Sequence, residues 1–265
     1  MITPFLIKLC LSLVVGGIWV ALTTLIAERF GSKVGGLVGG LPSTALVALL
    51  FIGFFQSPEA ASATTTVMPL TQGFNGLFIL AFILFAHRGL IAGLSAALIV
   101  WFFLAAFLVL SGFNDFILSI AGWLLLFVVC LYIVEKKMAI PSRERMAVHY
   151  SFFQIVIRAV FAGCVIAFAV LMNRLGGSAF GGLFATFPAM FISTLIIIHR
   201  TGGADFSRAV AKSLMISGMV NVPFYAIAVR YLYPTVGLLM GTGLALLLSL
   251  MTGYVTFLLI NKKIL

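Results

Sequence analysis

Apolar residues form long runs along this chain, and short polar connections separate them. A membrane-spanning helix needs about 20 predominantly apolar residues, and counting runs of that length predicts nine spans. Their approximate limits are 4–27, 34–56, 60–86, 89–111, 114–134, 151–172, 179–198, 206–232 and 235–260. The pattern therefore predicts an all-α polytopic membrane protein with about nine transmembrane helices.

One segment of the second run recurs in the seventh run. Gly-Gly-Leu-Val-Gly-Gly-Leu-Pro occupies residues 35–42, and Gly-Gly-Leu-Phe-Ala-Thr-Phe-Pro occupies residues 181–188, which is 146 positions later. Other pairs follow in the same order. They are Glu59 with Asp205 and Asn75 with Asn221 at the same offset, and Gly89-x-x-x-Gly93 with Gly237-x-x-x-Gly241 at an offset of 148. Glycine-rich membrane helices can resemble one another by chance, but this ordered series favours an internal duplication.

The duplication divides the chain into two units of four helices. Residues 1–112 form the first unit, residues 113–150 contain a linking helix and a polar loop, and residues 151–265 form the second unit. With one helix between the units, the second unit enters the membrane from the opposite face. The prediction is a 4+1+4 arrangement of inverted repeats, which in secondary transporters places the binding site between the repeats near the midplane.

Composition and charge agree with a membrane protein and assign its faces. Hydrophobic residues make up 63% of the chain and charged residues 8%, a balance that needs lipid as the outer solvent. The formal charge of +10 lies in the connections rather than on one folded face, so a nucleic-acid partner is not expected. Nine spans place 12 Lys and Arg residues, Lys212 among them, on one face, and Arg174 and Arg230 on the other. Basic loops stay in the cytoplasm, which predicts an inner-membrane protein with its N-terminus outside and its C-terminus inside.

The repeated motif is the first candidate binding region. Pro42 and Pro188 each remove a backbone N–H about 12 Å into a span, and a broken helix in a membrane is tolerated only against protein or a watery cavity. If each proline occupies the first position of a half-helix, two helix N-termini point at the midplane and favour an anionic group. The alternative is that the glycines pack helices and the prolines only bend them. The candidate residues here are Gly39, Gly40, Pro42, Ser43, Thr44, Thr186 and Pro188.

Three further polar residues lie inside predicted spans. Asn75 and Asn221 can line a central site, or bond to the carbonyl groups that the prolines release. Arg158 lies about seven residues inside the sixth span, where no acid in the chain lies at matching depth. Its side chain either extends to the cytoplasmic interface or faces the interior, where an anion or a lipid headgroup is its natural partner.

Catalytic and metal-binding patterns are missing from the sequence. All six acids lie near predicted loops, the three cysteines match no metal or haem spacing, and no nucleophile motif or phosphate loop appears. We therefore expect neither an enzyme nor a cofactor. The leading hypothesis is a transporter or channel for a small, anionic or amphiphilic solute. The alternative is a non-transporting subunit of an envelope or polysaccharide-export assembly, with a membrane partner protein or further copies of this chain beside it in the bilayer.

The motifs at 35–42 and 181–188, together with the four-helix unit, resemble those of small uncharacterised bacterial membrane proteins of the GlpM-like kind. That resemblance implies a fused double copy of such a unit. The 4+1+4 plan is also similar to fused dual-topology transporters such as the double-domain fluoride exporters. This second likeness concerns the plan alone, so no functional residue is carried over from it.

Overall fold

The structure is a computed structural model that describes residues 2–29, 41–138 and 150–261. Within these ranges all regular elements are helical. The α-helices are α1 (Ile2–Arg29), α2 (Ser43–Phe55), α3 (Pro58–Thr64), α4 (Met68–Phe85), α5 (Leu90–Leu110), α6 (Phe116–Tyr132), α7 (Phe152–Gly176), α8 (Ser178–Ala185), α9 (Ala189–Val236) and α10 (Leu238–Asn261). A 3₁₀ turn, Ala86–Arg88, extends α4, and a π-helical turn, Ile133–Lys137, extends α6.

Seven helical segments in the described ranges are long and apolar enough to cross a membrane. Many of their large apolar side chains point outward, such as Ile91 at 81% and Leu110 at 87% exposure, which suits helices surrounded by lipid. The chain is therefore a membrane protein. The predicted count of nine is not confirmed, because Ser43–Phe55 is shorter than a full crossing and Ser178–Val236 forms one segment of 59 residues.

Two glycines that the sequence pairs each immediately precede a helix. Gly89 precedes α5 with φ 110°, and Gly237 precedes α10 with φ 79°. Residues other than glycine rarely adopt such positive φ angles. The two glycines therefore allow the chain to reverse direction sharply at these points. The prediction that both glycines open a helix is confirmed. Gly203, with φ 73°, interrupts α9 in the same way.

The third predicted span is not one continuous helix. The Ser57 hydroxyl caps α3 by accepting a hydrogen bond from Ala60 N, and Pro58 occupies the first turn. The pKa of the Glu59 carboxyl lies below its usual range, because the carboxylate accepts hydrogen bonds from the backbone N–H of Glu59 and from the Ser57 hydroxyl. The helix then breaks, and α4 begins only at Met68. The interpretation of 60–86 as a single span missed this break, where three successive threonine hydroxyls bond to carbonyl groups of α3 and compete with the helical pattern.

Helices α1 and α7 pack closely and run antiparallel. A Cβ atom at Gly163 would overlap the Leu13 carbonyl oxygen, and one at Gly17 would lie 3.0 Å from the Ala159 carbonyl oxygen. Leu13 on α1 lies beside Gly163 on α7, and Gly17, further along α1, lies beside Ala159, which comes earlier on α7. The two helices therefore run in opposite directions. Small residues allow this approach, as is usual between membrane helices.

Helix α4 lies at the centre of the molecule, and α5, α6 and α9 pack around it. One ionic contact ties the linking helix to α9. The ammonium group of Lys212, a residue 4% exposed, lies 2.6 Å from a carboxylate oxygen of Glu135 on the π-helical turn. The interpretation of Lys212 as a loop charge is therefore wrong: it lies within α9, where pairing with Glu135 lowers the cost of burying its charge.

Candidate functional site

A cavity lies where α2 and α9 begin, between the two copies of the proline motif. Its volume is about 40 Å³, which is room for one or a few small species and far below the roughly 300–1,000 Å³ of drug-sized sites. No lining side chain among the described residues is titratable. The lining residues are Leu41, Pro42, Ser43, Thr44, Ala45, Gln72, Asn75, Ala185, Thr186, Phe187, Pro188, Met190, Phe191, Gly218 and Val222.

The two prolines share one backbone conformation. Pro42 has φ −75° and ψ 50°, and Pro188 has φ −75° and ψ 38°. Each is the central residue of an inverse γ-turn. The closing hydrogen bonds run from Ser43 N to Leu41 O (2.8 Å) and from Ala189 N to Phe187 O (2.7 Å). Where the structure describes both copies, at the prolines and the residues on either side of them, the backbone conformation is thus alike.

Each proline occupies the N-cap of the helix that follows it. The carbonyl oxygens of Pro42 and Pro188 accept the first helical hydrogen bonds, from Leu46 N and Ile192 N, while ψ stays outside the helical range. The prediction that helices start at the motif is correct. The assignment of proline to the first helical position is wrong by one residue, because the γ-turn requires a positive ψ at the proline.

Both helices begin without a side-chain cap. Among the described residues, the backbone N–H groups of Ala45, Met190 and Phe191 have no acceptor, and all three residues line the cavity. A helix N-terminus carries roughly half a positive charge, concentrated on such free N–H groups. Two N-termini from different halves of the chain therefore make the cavity electropositive without any ionised side chain.

A chain of side-chain hydrogen bonds reaches the cavity from α5. Trp101 Nε1 donates to Asn75 Oδ1 at 2.9 Å, and Asn75 Nδ2 donates both to Gln72 Oε1 at 2.9 Å and to the Thr186 carbonyl oxygen at 2.7 Å. Thr186 Oγ1 in turn donates to Thr71 Oγ1 at 2.7 Å. Asn75 and Gln72 are each 2% exposed, yet Gln72 Nε2 has no hydrogen-bond partner in the part of the chain that the structure describes.

Asn221 does not take the place that its pairing with Asn75 predicts. It is fully buried but is not part of the cavity lining, and its amide contacts Ser217 Oγ and Thr252 Oγ1 instead. The two asparagines contact different helices, Asn75 through Trp101 on α5 and Asn221 through Thr252 on α10. Of the two, Asn75 is the one that lines the cavity among the described residues.

Arg158 is 6% exposed on α7 and lies outside the cavity lining. Its guanidinium carbon is 5.6 Å from the centre of the Tyr150 ring, and its Nε and Nη1 atoms have no hydrogen-bond partner among the described residues. The side chain is therefore buried and lies beside Tyr150, which precedes α7.

The structure brings together six of the residues that the sequence nominated. Pro42, Ser43, Thr44, Asn75, Thr186 and Pro188 all line the cavity. Gly39 and Gly40 lie outside the described residues. Two participants were missed, Trp101 and Gly218, although Gly218 follows Gln72 by the same 146 residues that separate the motifs. That offset, applied to every polar residue in a span, would have found the Gln72–Gly218 pair.

Comparison with known proteins identifies one similarity. Residues 9–114 match a family model described as a protein of unknown function (DUF3147). The match covers less than half of the chain and brings no activity with it. It gives no support to the GlpM-like resemblance. Neither the curated proteins nor the solved structures give a significant match to this chain.

Proposed function

We propose that this protein is a small inner-membrane transporter or channel, built from inverted repeats, that moves a small anion through the cavity between the proline motifs. Its nine crossings are arranged as 4+1+4, with the N-terminus outside and the C-terminus in the cytoplasm. The observation that carries the proposal is the convergence of two uncapped helix N-termini on one small cavity that contains an unpartnered amide.

Residues that contact their own counterparts support the inverted arrangement. Gly17 and Gly163 are 146 positions apart, and a Cβ atom at Gly163 would lie 3.4 Å from Gly17 N. Leu13 and Ala159 have the same offset, and each presents its carbonyl oxygen to the glycine of the other helix. Such reciprocal contacts are typical of a two-fold interface, in which residue i contacts j and j contacts i. Because α1 and α7 run antiparallel, the axis relates units of opposite orientation.

A second self-contact lies beside the cavity. Gln72 and Gly218 are also 146 positions apart, and a Cβ atom at Gly218 would lie 3.2 Å from Gln72 Nε2. Pro42 and Pro188, with the same offset again, line that cavity. A pseudo-two-fold axis through both self-contacts passes through the cavity, which is where transporters with inverted repeats bind their solutes.

The helix lengths support nine crossings. A helix of 59 residues would be about 88 Å long, close to three times the hydrocarbon thickness, so Ser178–Val236 must fold back, and Gly203 is the residue with the required backbone angle. Counting its two arms separately and adding Ser43–Phe55 gives nine. The family match ends at residue 114, close to the proposed end of the first unit at residue 112.

Arg158 supplies a second point of attraction for an anion. It precedes Gly163 by five residues on α7, which places it roughly 7.5 Å along the helix from the proposed axis. A buried guanidinium with unpartnered N–H groups needs a negative partner, and within a membrane such a residue is a functional candidate. An anion that passes between the cytoplasm and the cavity is a partner of the required charge.

Transport by purified protein in liposomes tests the proposal. Vesicles are loaded with potassium fluoride, chloride, nitrate or sulfate, and anion efflux is followed by selective electrodes after valinomycin removes the opposing voltage. We expect efflux of at least one small anion well above that of protein-free vesicles. The variant Gly243→Ala serves as control, because a Cβ atom there meets nothing within 4 Å and should leave the flux unchanged. Absence of flux for every anion would reject transport in favour of a non-transporting subunit.

A further inference from the structure

The direction of each hydrogen bond in the Trp101–Asn75–Gln72 chain follows from the chemistry of its first member. An indole N–H only donates, so the Asn75 atom that faces Trp101 Nε1 at 2.9 Å must be the amide oxygen. The Asn75 NH₂ group therefore points the other way. There it meets two acceptors, the Thr186 carbonyl oxygen and the oxygen of the Gln72 amide.

The orientation of Gln72 is fixed in turn. Its amide oxygen must face the Asn75 NH₂ group, since the flipped amide would place two NH₂ groups against each other and break the bond. Gln72 Nε2 is then left on the cavity side, buried and without a partner. Trp101 and the Thr186 carbonyl oxygen together determine, through two amides, that the cavity receives a hydrogen-bond donor from α4 rather than an acceptor.

Only one glutamine fits at this point. The residue related to Gln72 by the repeat offset is Gly218, and a Cβ atom there would lie 2.5 Å from Phe191 Cζ as well as 3.2 Å from Gln72 Nε2. The two repeats therefore differ where they meet. The Gln72 amide occupies the space beside the cavity, and a second side chain at position 218 would not fit there.

The charge of the cavity favours a monovalent anion. Two helix N-termini contribute roughly +0.5 each, and the C-terminus of the short helix α8, which ends at Ala185 in the same lining, contributes up to roughly −0.5, so a net positive charge remains. No lining side chain among the described residues adds a charge, and the cavity volume of about 40 Å³ excludes a large solute. We infer that the cavity binds one small monovalent anion, with Gln72 Nε2 as a direct ligand and with Trp101 as a positioning residue that, together with the Thr186 carbonyl oxygen, makes the site select anions over cations. This inference rests on the proposed function.

Ion selectivity in proteoliposomes tests the inference through two variants. Gln72→Glu keeps the size and the acceptor for Asn75 but turns an acceptor toward the cavity, so anion flux should fall at least tenfold. Trp101→Phe removes one of the two groups that orient the Asn75 amide, the other being the Thr186 carbonyl oxygen. The ratio of chloride to potassium permeability should therefore fall by up to about tenfold, the effect of losing about one hydrogen bond. Sulfate, which carries two charges, should pass far more slowly than chloride or nitrate.

Trp123→Phe is the matched control. Trp123 is also buried, and its Nε1 donates to the Met219 carbonyl oxygen at 2.7 Å rather than to the amide chain. It should lower the melting temperature about as much as Trp101→Phe does, yet keep the wild-type permeability ratio. If wild-type protein moves anions while both test variants keep its selectivity, or if sulfate passes as fast as chloride, the inference is wrong and the proposed function stands. If wild-type protein moves no anion, the proposed function fails.

Discussion

The contact between α1 and α7 offers a sharp test of the packing on which the proposed axis depends. The perturbation is Gly163→Ala. The added Cβ would overlap the carbonyl oxygen of Leu13, which belongs to the backbone of α1 and cannot rotate away. Ordinary van der Waals contact begins at 3.4 Å, so the two helices must separate by roughly 1 Å along this stretch in a close-packed interior.

The expected cost comes from two opposing effects. Overpacking of this kind costs about 1–3 kcal/mol, whereas replacing glycine by alanine within a helix recovers up to about 1 kcal/mol. We expect a net loss of about 1–2 kcal/mol for Gly163→Ala. For a chain of this size such a loss lowers the melting temperature by roughly 2–8 °C. Gly17→Ala should cost less, because its Cβ would lie 3.0 Å from Ala159 O and a shift of a few tenths of an ångström relieves it.

The assay is thermal unfolding of the purified variants in one detergent, followed by tryptophan fluorescence. Gly243→Ala provides the reference, because it changes helix propensity at a site where the new methyl group meets nothing. The expected order of melting temperatures is Gly163→Ala lowest, then Gly17→Ala, then Gly243→Ala at or above wild type. Equal melting temperatures for all three variants would refute the close antiparallel packing and, with it, the proposed self-contact of Gly17 and Gly163.

Two further predictions concern topology and Arg158. The topology is tested in a chain without its native cysteines. Glu59→Cys should react with a membrane-impermeant reagent only from outside and Asp205→Cys only from inside, because both positions are exposed and begin the third helix of oppositely oriented units. Reaction of both cysteines from the same face would rule out inversion. Arg158→Met should leave the melting temperature unchanged or higher, because an uncompensated buried charge is replaced by an apolar side chain, while anion flux falls at least tenfold. A lower melting temperature with unchanged flux would assign Arg158 a structural role.

The residues that the sequence placed correctly are those whose effect is local. Pro42 and Pro188 each lie at the start of a helix, where the fixed φ and the missing N–H of the ring are tolerated. Gly89 and Gly237 begin helices because a reversal needs an angle that other residues avoid. Ser57 caps α3 through a hydroxyl that reaches a backbone N–H three residues away.

The errors concern residues whose partners are distant in sequence. Asn75 and Asn221 have equal offsets and similar surroundings along the chain, but one meets Trp101 and the other meets Thr252. Lys212 resembles a loop charge until Glu135 is placed beside it. No pattern within a single span encodes such contacts, because they depend on which helices become neighbours.

The sequence by itself determined that this is a helical membrane protein and that helices begin close to Pro42, Gly89, Pro188 and Gly237, because both follow from the length of apolar runs and from the backbone restrictions of proline and glycine. It did not reveal the break between Thr64 and Met68. It also carried the offset of 146 residues that pairs the two motifs. Only the tertiary structure decided that both motifs meet at one cavity, that Trp101 orients Asn75 and Gln72 toward it, and that Asn221 lies elsewhere. Those outcomes depend on packing between segments more than 25 residues apart, where a hydrogen bond forms only if the fold brings donor and acceptor within about 3 Å.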